Sequence, residues 1–271
     1  MTASAPGPVR LRPMRIGETL DAAIRLYRAA WKPLMMIVAI IMVPFTAIQA
    51  VAINAAQDPY TIGGDTYIAD DGMETILVFL AIGYLVVTPI LQGAVVRAVA
   101  GVYLGEHPTA SESLRFALSK SWPLIVGLFL STILTVLGAI ALLIPGVILY
   151  IRYQFVVPSI VVEGRSGAPS LGRSWRLSKG AFWRILWTLL LAGIIAGVAN
   201  TVLQIPGAIA TFNAGTSGSA WLIQAVFTAI AQVITTPFTA TVGVLLYFDA
   251  RIRKEAFDLS VMSREVGSPV P

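Results

Sequence analysis

Long uncharged apolar segments constrain this chain more than any other feature of its sequence. Residues 34–56, 75–96, 123–143, 185–205 and 221–248 each contain no Asp, Glu, Lys or Arg. A helix that crosses a membrane needs about 20 mostly apolar residues, because each residue adds about 1.5 Å across a hydrocarbon layer of roughly 30 Å. Each of the five segments is long enough to span a membrane.

The amino-acid composition also indicates a membrane protein. Hydrophobic residues make up 56% of the 271 residues and charged residues 12%, whereas a soluble domain contains about 45–50% and about 25% respectively. The absence of cysteine excludes disulfides, thiolate metal sites and a cysteine nucleophile. The single histidine, His107, excludes the usual multi-histidine metal sites. We therefore expect a membrane protein without a metal or other cofactor. No sequence motif indicates an enzymatic reaction.

A sixth span is predicted from the distribution of charge. Residues 146–162 form a shorter apolar run that contains Arg152. The loop 57–74 carries five acidic and no basic residues, whereas the segment 163–184 carries five basic residues. Basic residues of short loops stay on the cytoplasmic side, and a crossing at 146–162 leaves 18 of the 19 Lys and Arg residues there, with both termini. The sequence therefore predicts an all-α fold of six transmembrane helices arranged as three helical hairpins.

The polar segments at the two ends define the domain organisation. Residues 1–15 are predicted to be a disordered basic tail, residues 16–259 the six-helix membrane domain, and residues 260–271 a C-terminal tail. The first span is too long for the core of a signal peptide and follows a polar, basic segment. We therefore expect it to act as an uncleaved anchor.

Three basic amphipathic segments end at Trp31, Trp122 and Trp183 and run directly into the first, third and fifth spans. In the second segment, Thr109 and Glu112 have the spacing of a capping box, which predicts a helix start. Such helices are expected to lie flat in the cytoplasmic headgroup layer, where each Lys or Arg near anionic lipid contributes about 1 kcal/mol. The alternative is a topology anchor without lipid selectivity. The candidate contacts to anionic inner-leaflet lipid are Arg25, Arg173, Arg176 and Lys179.

The second and third of these segments also begin a repeated pattern. Trp122 and Trp183 are each followed 23 residues later by a proline in an Ile-Pro-Gly sequence, at Pro145 and Pro206. Pro-Gly at that position is predicted to end the odd-numbered helix, and one proline in each even-numbered span is predicted to kink it. Carbonyls freed by a kink could line a cavity, although a packing role is the favoured interpretation. The kinking prolines are Pro89, Pro158 and Pro237.

Arg152 is the one charged residue inside a predicted span. A charge at that depth costs about 2.5–3.5 kcal/mol on insertion scales, which makes a site for an anionic headgroup or substrate the first hypothesis. Its expected position is roughly 10 Å from the outer boundary. The alternative is that its long side chain extends to the outer interface near Tyr150 and Tyr153.

Two acidic residues lie where the fourth and sixth spans end, each close to basic residues. Ion pairs that lock the ends of the helices are the expected role, and a proton or ion relay is the alternative. The expected structural pairs are Glu163 with Arg173 or Arg176, and Asp249 with Arg251 or Arg253.

Five amide side chains lie within the apolar spans. Interhelical hydrogen bonding, at about 0.6 kcal/mol each, is their ordinary use, and lining a transport path is the alternative. Gly193 and Gly197 form a GxxxG sequence, which is suited to close helix packing. The amides are Gln92, Asn200, Gln204, Gln224 and Gln232.

Three short segments, which are spread over nearly the whole length of the chain, resemble one bacterial family. Residues 12–23 (RPMRIGETLDAA), 171–180 (LGRSWRLSKG) and 246–258 (LYFDARIRKEAFD) are similar to glycerophosphoryl diester phosphodiesterase membrane domain proteins. In some members this membrane unit is fused to a catalytic barrel with a histidine pair and acidic metal ligands, and a chain with one histidine cannot supply that pair. The resemblance implies a stand-alone multipass protein of the bacterial cytoplasmic (inner) membrane.

We therefore expect a non-enzymatic integral membrane protein with a role in membrane or lipid organisation, or as a scaffold. The net charge of +5 follows from membrane topology and indicates no nucleic-acid partner. The alternative is a transporter of a lipid or a small anionic molecule, which would use the kinked even-numbered helices and Arg152. A protein partner and the oligomeric state are left open.

Overall fold

The computed structural model describes residues 14–56, 59–62, 65–68, 72–214 and 220–255. The predicted tails, 1–15 and 260–271, lie almost entirely outside these residues. Within the described ranges the chain forms ten helices and one two-stranded hairpin. The elements are α1 (Ile16–Ala29), α2 (Trp31–Ala56), β1 (Pro59–Ile62), β2 (Asp65–Ile68), α3 (Met73–Tyr103), α4 (Ala110–Ser119), α5 (Ser121–Ala141), α6 (Leu143–Arg152), α7 (Val156–Glu163), α8 (Gly167–Ser178), α9 (Phe182–Ala214) and α10 (Ala220–Glu255).

Six segments are long and apolar enough to cross a membrane, which confirms the predicted number. Five are the single helices α2, α3, α5, α9 and α10. The predicted fourth span, 146–162, is instead two short helices, α6 and α7, which together cover Leu143–Glu163 and are separated at residues 153–155. Most of the helices extend past the predicted spans, and α3 continues to Tyr103. Hydropathy marks only the apolar part of a helix that continues into polar sequence.

Proline marks the beginning of half of the described helices. It is the third residue of α2, α5, α6, α7 and α8. A proline is tolerated in the first turn, because the N–H that it lacks would have no acceptor within the helix. These helix-starting residues are Pro33, Pro123, Pro145, Pro158 and Pro169.

The two Ile-Pro-Gly sequences have different structures, which corrects the prediction that both end a helix. Pro145 and Gly146 lie at the beginning of α6, after α5 has ended. Gly146 lies so close to α5 that a Cβ atom there would be 2.6 Å from the Cβ of Ala139. Pro206 instead lies inside α9, which continues to Ala214. The repeated spacing therefore has no matching structural repeat at these prolines.

The acidic segment between α2 and α3 contains a short antiparallel hairpin and is not a plain loop. Pro59 of β1 lies opposite Ile68 of β2, and Ile62 lies opposite Asp65. Two residues separate the strands, which is the commonest hairpin connection. The hairpin joins the end of α2 to the beginning of α3.

Helix α10 is the central element of the bundle. It packs along α9 and also contacts α1, α2, α3 and α8. The helices α5, α6 and α7 pack together, and α3 joins them to α10. The largest fully buried side chains include Tyr247, Phe248 and Phe155. We call the end of the bundle that carries α1, α4, α8 and residues 247–255 the basic end.

The three predicted interfacial helices are present as α1, α4 and α8, each directly before a long helix. They pack on the bundle partly through small residues, while some of their large apolar side chains are exposed. Small residues let helix backbones approach closely without a hydrophobic driving force. The buried small residues are Thr19 and Ala23 in α1, Ser113 and Ala117 in α4, and Ser170 and Ser174 in α8, while Ile24, Leu118 and Trp175 are exposed.

Helix α1, which was expected to lie in the headgroup layer, packs against α10. Just before α1, the Met14 N–H donates to Asp249 at 2.8 Å. Near its end, the Tyr27 hydroxyl donates to the carbonyl of Ile234 at 3.0 Å. The first amphipathic helix is therefore an integral part of the bundle.

The capping box predicted for the second amphipathic helix is confirmed at the beginning of α4. The Glu112 N–H donates to the Thr109 hydroxyl at 3.2 Å, and the Thr109 N–H donates to the Glu112 carboxylate at 2.9 Å. Because the carboxylate accepts the Thr109 N–H, the pKa of Glu112 is lowered. The helix start is therefore stabilised by its own sequence.

Candidate functional site

A cavity of about 500 Å³ lies inside the bundle between α3, α5, α6, α7, α9 and α10. Its volume falls within the range of roughly 300–1,000 Å³ that is typical of small-molecule sites. Among the described residues that line it, none is Asp, Glu, Lys, Arg or His. The cavity wall is therefore uncharged and contains both polar and apolar side chains. Its hydroxyl and amide lining comprises Gln92, Ser131, Thr132, Thr135, Gln154, Thr236 and Thr239, together with two tyrosines.

The break between α6 and α7 forms part of the cavity wall, where Gln154 lines the cavity. A broken helix in a membrane needs new partners for the backbone groups that it frees, and α8 supplies them. The Phe155 N–H donates to the Ser174 hydroxyl at 3.0 Å, and that hydroxyl donates to the Arg152 carbonyl at 2.7 Å. The Ser178 hydroxyl donates to the same carbonyl at 3.3 Å. The serine face of α8 therefore holds the break in a defined conformation.

The cavity reaches the outer surface of the bundle. Val136 and Tyr150, which line it, are 49% and 56% exposed. On the facing helix α9, Gly193 also lines the cavity and is exposed. The cavity therefore opens sideways between the helix pair α5–α6 and helix α9.

The predicted amides have two kinds of surroundings. The Asn200 amide donates to the Thr235 hydroxyl at 3.4 Å, and the Gln224 amide donates to the Gln204 carbonyl oxygen at 3.4 Å. These contacts join α9 to α10, which is the ordinary use of amides in membrane helices. Gln92 lines the cavity instead, together with Gln154, which was not among the predicted amides. Gln232 is half-buried.

The GxxxG sequence of α9 makes no close helix contact in the described chain. A Cβ atom at Gly193 or Gly197 would meet nothing within 4 Å. The close approaches of α9 to α10 occur elsewhere, and at Gly207 a Cβ would lie 2.7 Å from an oxygen of Gln224. The packing role expected for Gly193 and Gly197 is therefore filled by Gly207.

Arg152 points toward the basic end, which corrects the prediction that it extends to the outer interface. Its guanidinium carbon lies 4.8 Å from the ring centre of Trp175 on α8, within cation–π range. Its Nε and Nη1 atoms are buried and have no hydrogen-bond partner among the described residues. Arg152 does not line the central cavity. The reason is that α8 packs over the helix break and offers an aromatic face there.

One group of ion pairs joins α7, α8 and α10, and we call it the Glu163 cluster. The Glu163 carboxylate accepts from Arg173 at 2.8 Å, from Arg165 at 2.7 Å and from the Tyr247 hydroxyl at 2.6 Å. The cluster also contains Arg251 and Glu255, whose side chains are 3.1 Å apart. The cluster comprises Glu163, Arg165, Arg173, Tyr247, Arg251 and Glu255.

Arg173 was expected either to contact lipid or to pair with Glu163, and the structure shows the pair with Glu163 inside this cluster. Its guanidinium pairs with both Glu255 and Glu163, and its side chain is only 12% exposed. Hydrogen bonds from its guanidinium to Glu255 and Glu163 raise the pKa of Arg173. Its charge is therefore used to hold α7, α8 and α10 together.

A second group of contacts surrounds Asp249, which is 1% exposed, and we call it the Asp249 cluster. The carboxylate accepts from the Met14 N–H at 2.8 Å and from Arg253 at 3.0 Å, and it pairs with Arg184 of α9. The Arg253 guanidinium also donates to the Met14 carbonyl at 3.0 Å. This cluster of Asp249, Arg184, Arg253 and the Met14 backbone joins the segment before α1 to α9 and α10.

A pocket of about 260 Å³ adjoins the Asp249 cluster, between the α8–α9 connection and α10. Four of its lining residues are basic and one is acidic, and we call it the basic pocket. The pocket is more positive than the Glu163 cluster, in which two carboxylates face three arginines. Its charged residues are Lys179, Arg184, Lys254, Arg253 and Asp249.

The remaining predicted contacts lie apart from this pocket. Arg25 and Arg176 are exposed and do not line it. Among the described residues there is no group of three or more His, Asp or Glu side chains arranged to hold a metal ion. Arg184, Lys254 and Glu255 were not predicted as site residues, although their positions at the ends of apolar spans could have indicated them.

Comparison with known proteins places the chain in a family without assigning a function. No curated protein and no solved structure matches the chain. The resemblance to glycerophosphoryl diester phosphodiesterase membrane domain proteins is not tested by these comparisons and stays a prediction. A family model described as a domain of unknown function, DUF7847, matches residues 20–250. Since that match covers most of the chain, the protein belongs to the DUF7847 family.

Proposed function

We propose that this protein is a non-enzymatic membrane protein that binds a lipid or a lipid-like amphiphile in the central cavity, and that it acts in membrane or lipid organisation. The observation that carries the proposal is the chemistry of the cavity wall. Hydroxyl and amide groups on α3, α5 and α10 face apolar residues such as Leu128, Val157 and Val244. A wall of this kind complements a molecule with an uncharged polar part and a hydrocarbon part.

The position of the opening supports the same ligand class. The exposed lining residues Val136 and Tyr150 lie on the side of the bundle. In a bilayer this surface faces hydrocarbon, so a lipid can enter without crossing water. A small soluble ion would have to cross that hydrocarbon first, and the wall offers it no charged partner.

The proposed location is a bacterial cytoplasmic membrane, with the basic end and both termini on the cytoplasmic side. The support is the positive-inside distribution of Lys and Arg. In this orientation the exposed Arg25, Arg176 and Lys179 meet the anionic lipid of the inner leaflet, at about 1 kcal/mol each.

Transport of a lipid is the second candidate, and the helix break favours it. Discontinuous helices at a binding site are a recurring feature of membrane transporters. Here the break at residues 153–155 adjoins the cavity and separates α6 from α7. Binding without movement and binding with movement across the bilayer therefore have to be measured separately.

Filling the cavity tests the proposal. Thr132 lines the cavity, whereas its neighbour Ile133 is exposed and does not. The full chain, Thr132→Trp and Ile133→Trp are reconstituted in vesicles of phosphatidylethanolamine and phosphatidylglycerol, and lipid that stays bound after detergent extraction is counted by mass spectrometry. We expect Thr132→Trp to lose at least one bound lipid and Ile133→Trp to retain it. Equal lipid retention in both variants and the unmodified chain would contradict the proposal.

Flipping of a fluorescent phosphatidylglycerol in the same vesicles separates the two candidates. If the protein is a transporter, flipping exceeds that of empty vesicles and falls in Thr132→Trp but not in Ile133→Trp. If it only binds lipid, flipping equals that of empty vesicles while the bound lipid is still lost in Thr132→Trp.

A further inference from the structure

We propose that the basic pocket binds the phosphate group of an anionic ligand, with Lys179, Lys254 and Arg184 as the donors. This inference deepens the proposed lipid-binding role and rests on it for the lipid source of the phosphate. It uses residues different from those of the central cavity. The two sites can therefore fail independently.

The first support is the charge that the pocket leaves uncompensated. Asp249 is the one acidic residue among the described lining residues, and its carboxylate is already engaged by Arg184 and Arg253. Lys179 and Lys254 line the same space and have no carboxylate partner among the residues that the structure describes. A bound anion would supply the missing negative charge.

Arg152 adds to this excess from outside the lining. Its guanidinium lies over the ring of Trp175, four residues before Lys179 on the same side of the α8–α9 connection. Since like charges repel at short range, three cations in this arrangement are unfavourable unless an anion lies between or beside them. In the Glu163 cluster, by contrast, each of the three arginines is paired with a carboxylate.

The second support is the supply of unused donors. The Lys254 ammonium donates to the carbonyl of Arg176, and an ammonium has three donors. The Nε of Arg184 is buried and has no hydrogen-bond partner among the described residues. A phosphate has several acceptor oxygens and pairs well with both side chains.

The backbone at the beginning of α9 also favours an anion in the basic pocket. Gly180, at φ +82°, turns the chain between α8 and α9, and it lines the pocket together with Ala181. The first N–H groups of a long helix have no acceptor within the helix, and they favour an anion at that position. This contribution supports the lysines and is not a site by itself.

The surroundings favour a lipid headgroup as the source of the phosphate. Trp175 and Trp183, at the end of α8 and the beginning of α9, are 41% and 67% exposed. Exposed tryptophans of this kind are typical of the membrane–water interface. A soluble phosphate ester has the same recognised group, so the experiment includes both sources.

The four lysines of the chain provide a matched test. Lys179 and Lys254 line the pocket, whereas Lys32 and Lys120 are exposed at the beginnings of other spans and do not line it. The double variants Lys179→Gln/Lys254→Gln and Lys32→Gln/Lys120→Gln therefore lose the same charge. Binding of phosphatidylglycerol and of phosphatidylcholine to the full chain is titrated by native mass spectrometry, and inorganic phosphate is titrated by thermal shift.

We expect the unmodified chain and the Lys32/Lys120 variant to prefer phosphatidylglycerol. The Lys179/Lys254 variant should bind it about 30-fold more weakly, or about fivefold for each ammonium lost. Stabilisation by inorganic phosphate that disappears in the Lys179/Lys254 variant, without a preference for phosphatidylglycerol, would support the pocket and assign it to a soluble phosphate. If the double variant does not fold, Lys179→Gln alone replaces it, with the fivefold effect.

Two results would overturn the inference. One is an equal loss of binding in both double variants, because general surface charge would then be responsible. The other is no phosphate-dependent binding or stabilisation of the unmodified chain. The Thr132→Trp variant distinguishes this inference from the cavity proposal, because it should leave the phosphatidylglycerol preference of the basic pocket unchanged.

Discussion

The Glu163 cluster and the Asp249 cluster with its adjoining basic pocket lie at the same end of the bundle and differ in charge balance. In the Glu163 cluster, two carboxylates pair with three arginines, and a tyrosine hydroxyl donates to one of the carboxylates. In the Asp249 cluster, the single carboxylate pairs with two arginines, and two lysines line the basic pocket beside it. Basic residues at this end of the bundle therefore have two roles. Balanced charges lock helices together, and surplus charges are available to a ligand.

The largest expected effect is at the buried carboxylate. Asp249→Asn should lower the free energy of unfolding by about 3–5 kcal/mol, because it leaves the charge of Arg184 uncompensated next to the core. Unfolding in detergent, followed by tryptophan fluorescence, measures the change. Asp21→Asn, at an exposed position of α1, is the control and should have little effect. A loss below 1 kcal/mol at Asp249 would show that this carboxylate does not hold the helices together.

A smaller effect is expected in the balanced cluster. Glu163→Gln should destabilise the protein by about 1.5–3 kcal/mol, the range for hydrogen bonds to charged groups. The loss is smaller than at Asp249, because Arg173 keeps its pair with Glu255. The same unfolding measurement applies, with the exposed Glu74 changed to Gln as the control. A loss larger than that of Asp249→Asn would reverse the ranking of the two clusters.

Within the Glu163 cluster the outermost carboxylate should matter least. Glu255 is 31% exposed, and its pairs with Arg173 and Arg251 are expected to contribute up to about 1 kcal/mol because solvent screens them. Glu255→Gln therefore separates the buried part of the cluster from its rim. Equal losses for Glu255→Gln and Glu163→Gln would indicate that burial does not set the strength of these pairs.

The smallest effect is predicted to have the opposite sign. Lys179→Gln should stabilise the protein by about 0.5 kcal/mol in phosphate-free buffer, because it relieves repulsion with Lys254 at a solvent-exposed site. Lys120→Gln should leave stability unchanged. Adding phosphate should remove or reverse the gain, and destabilisation by Lys179→Gln without phosphate would show that the pocket carries no surplus charge.

Much of the fold could be predicted because the strongest forces act locally along the chain. The uncharged runs require spanning helices, and the spacing of Thr109 and Glu112 marks the beginning of α4. The prolines at the third positions of five helices were a further local signal. They could have located the break in the fourth span, since Pro158 favours a helix start at Val156.

The candidate site was less predictable, because it depends on which side chains of distant segments meet. Arg152 was expected to be an anion site or to extend to the outer interface, and it lies over Trp175 of α8. Arg173 was expected to contact lipid or to pair with Glu163, and it lies between Glu163 and Glu255, a carboxylate that was not predicted. Both differences have the same cause, which is that α8 packs into the bundle through serines that no hydrophobic pattern marks.

The sequence by itself determined that the chain has six apolar spans, because the cost of placing charge in hydrocarbon depends on composition within each segment. It also determined where basic residues gather along the chain. Only the tertiary structure decided which of those charges are balanced and which remain in excess. That distinction depends on distances of a few ångströms between helices far apart in sequence, since electrostatic interaction at the protein surface falls off over about 8–10 Å.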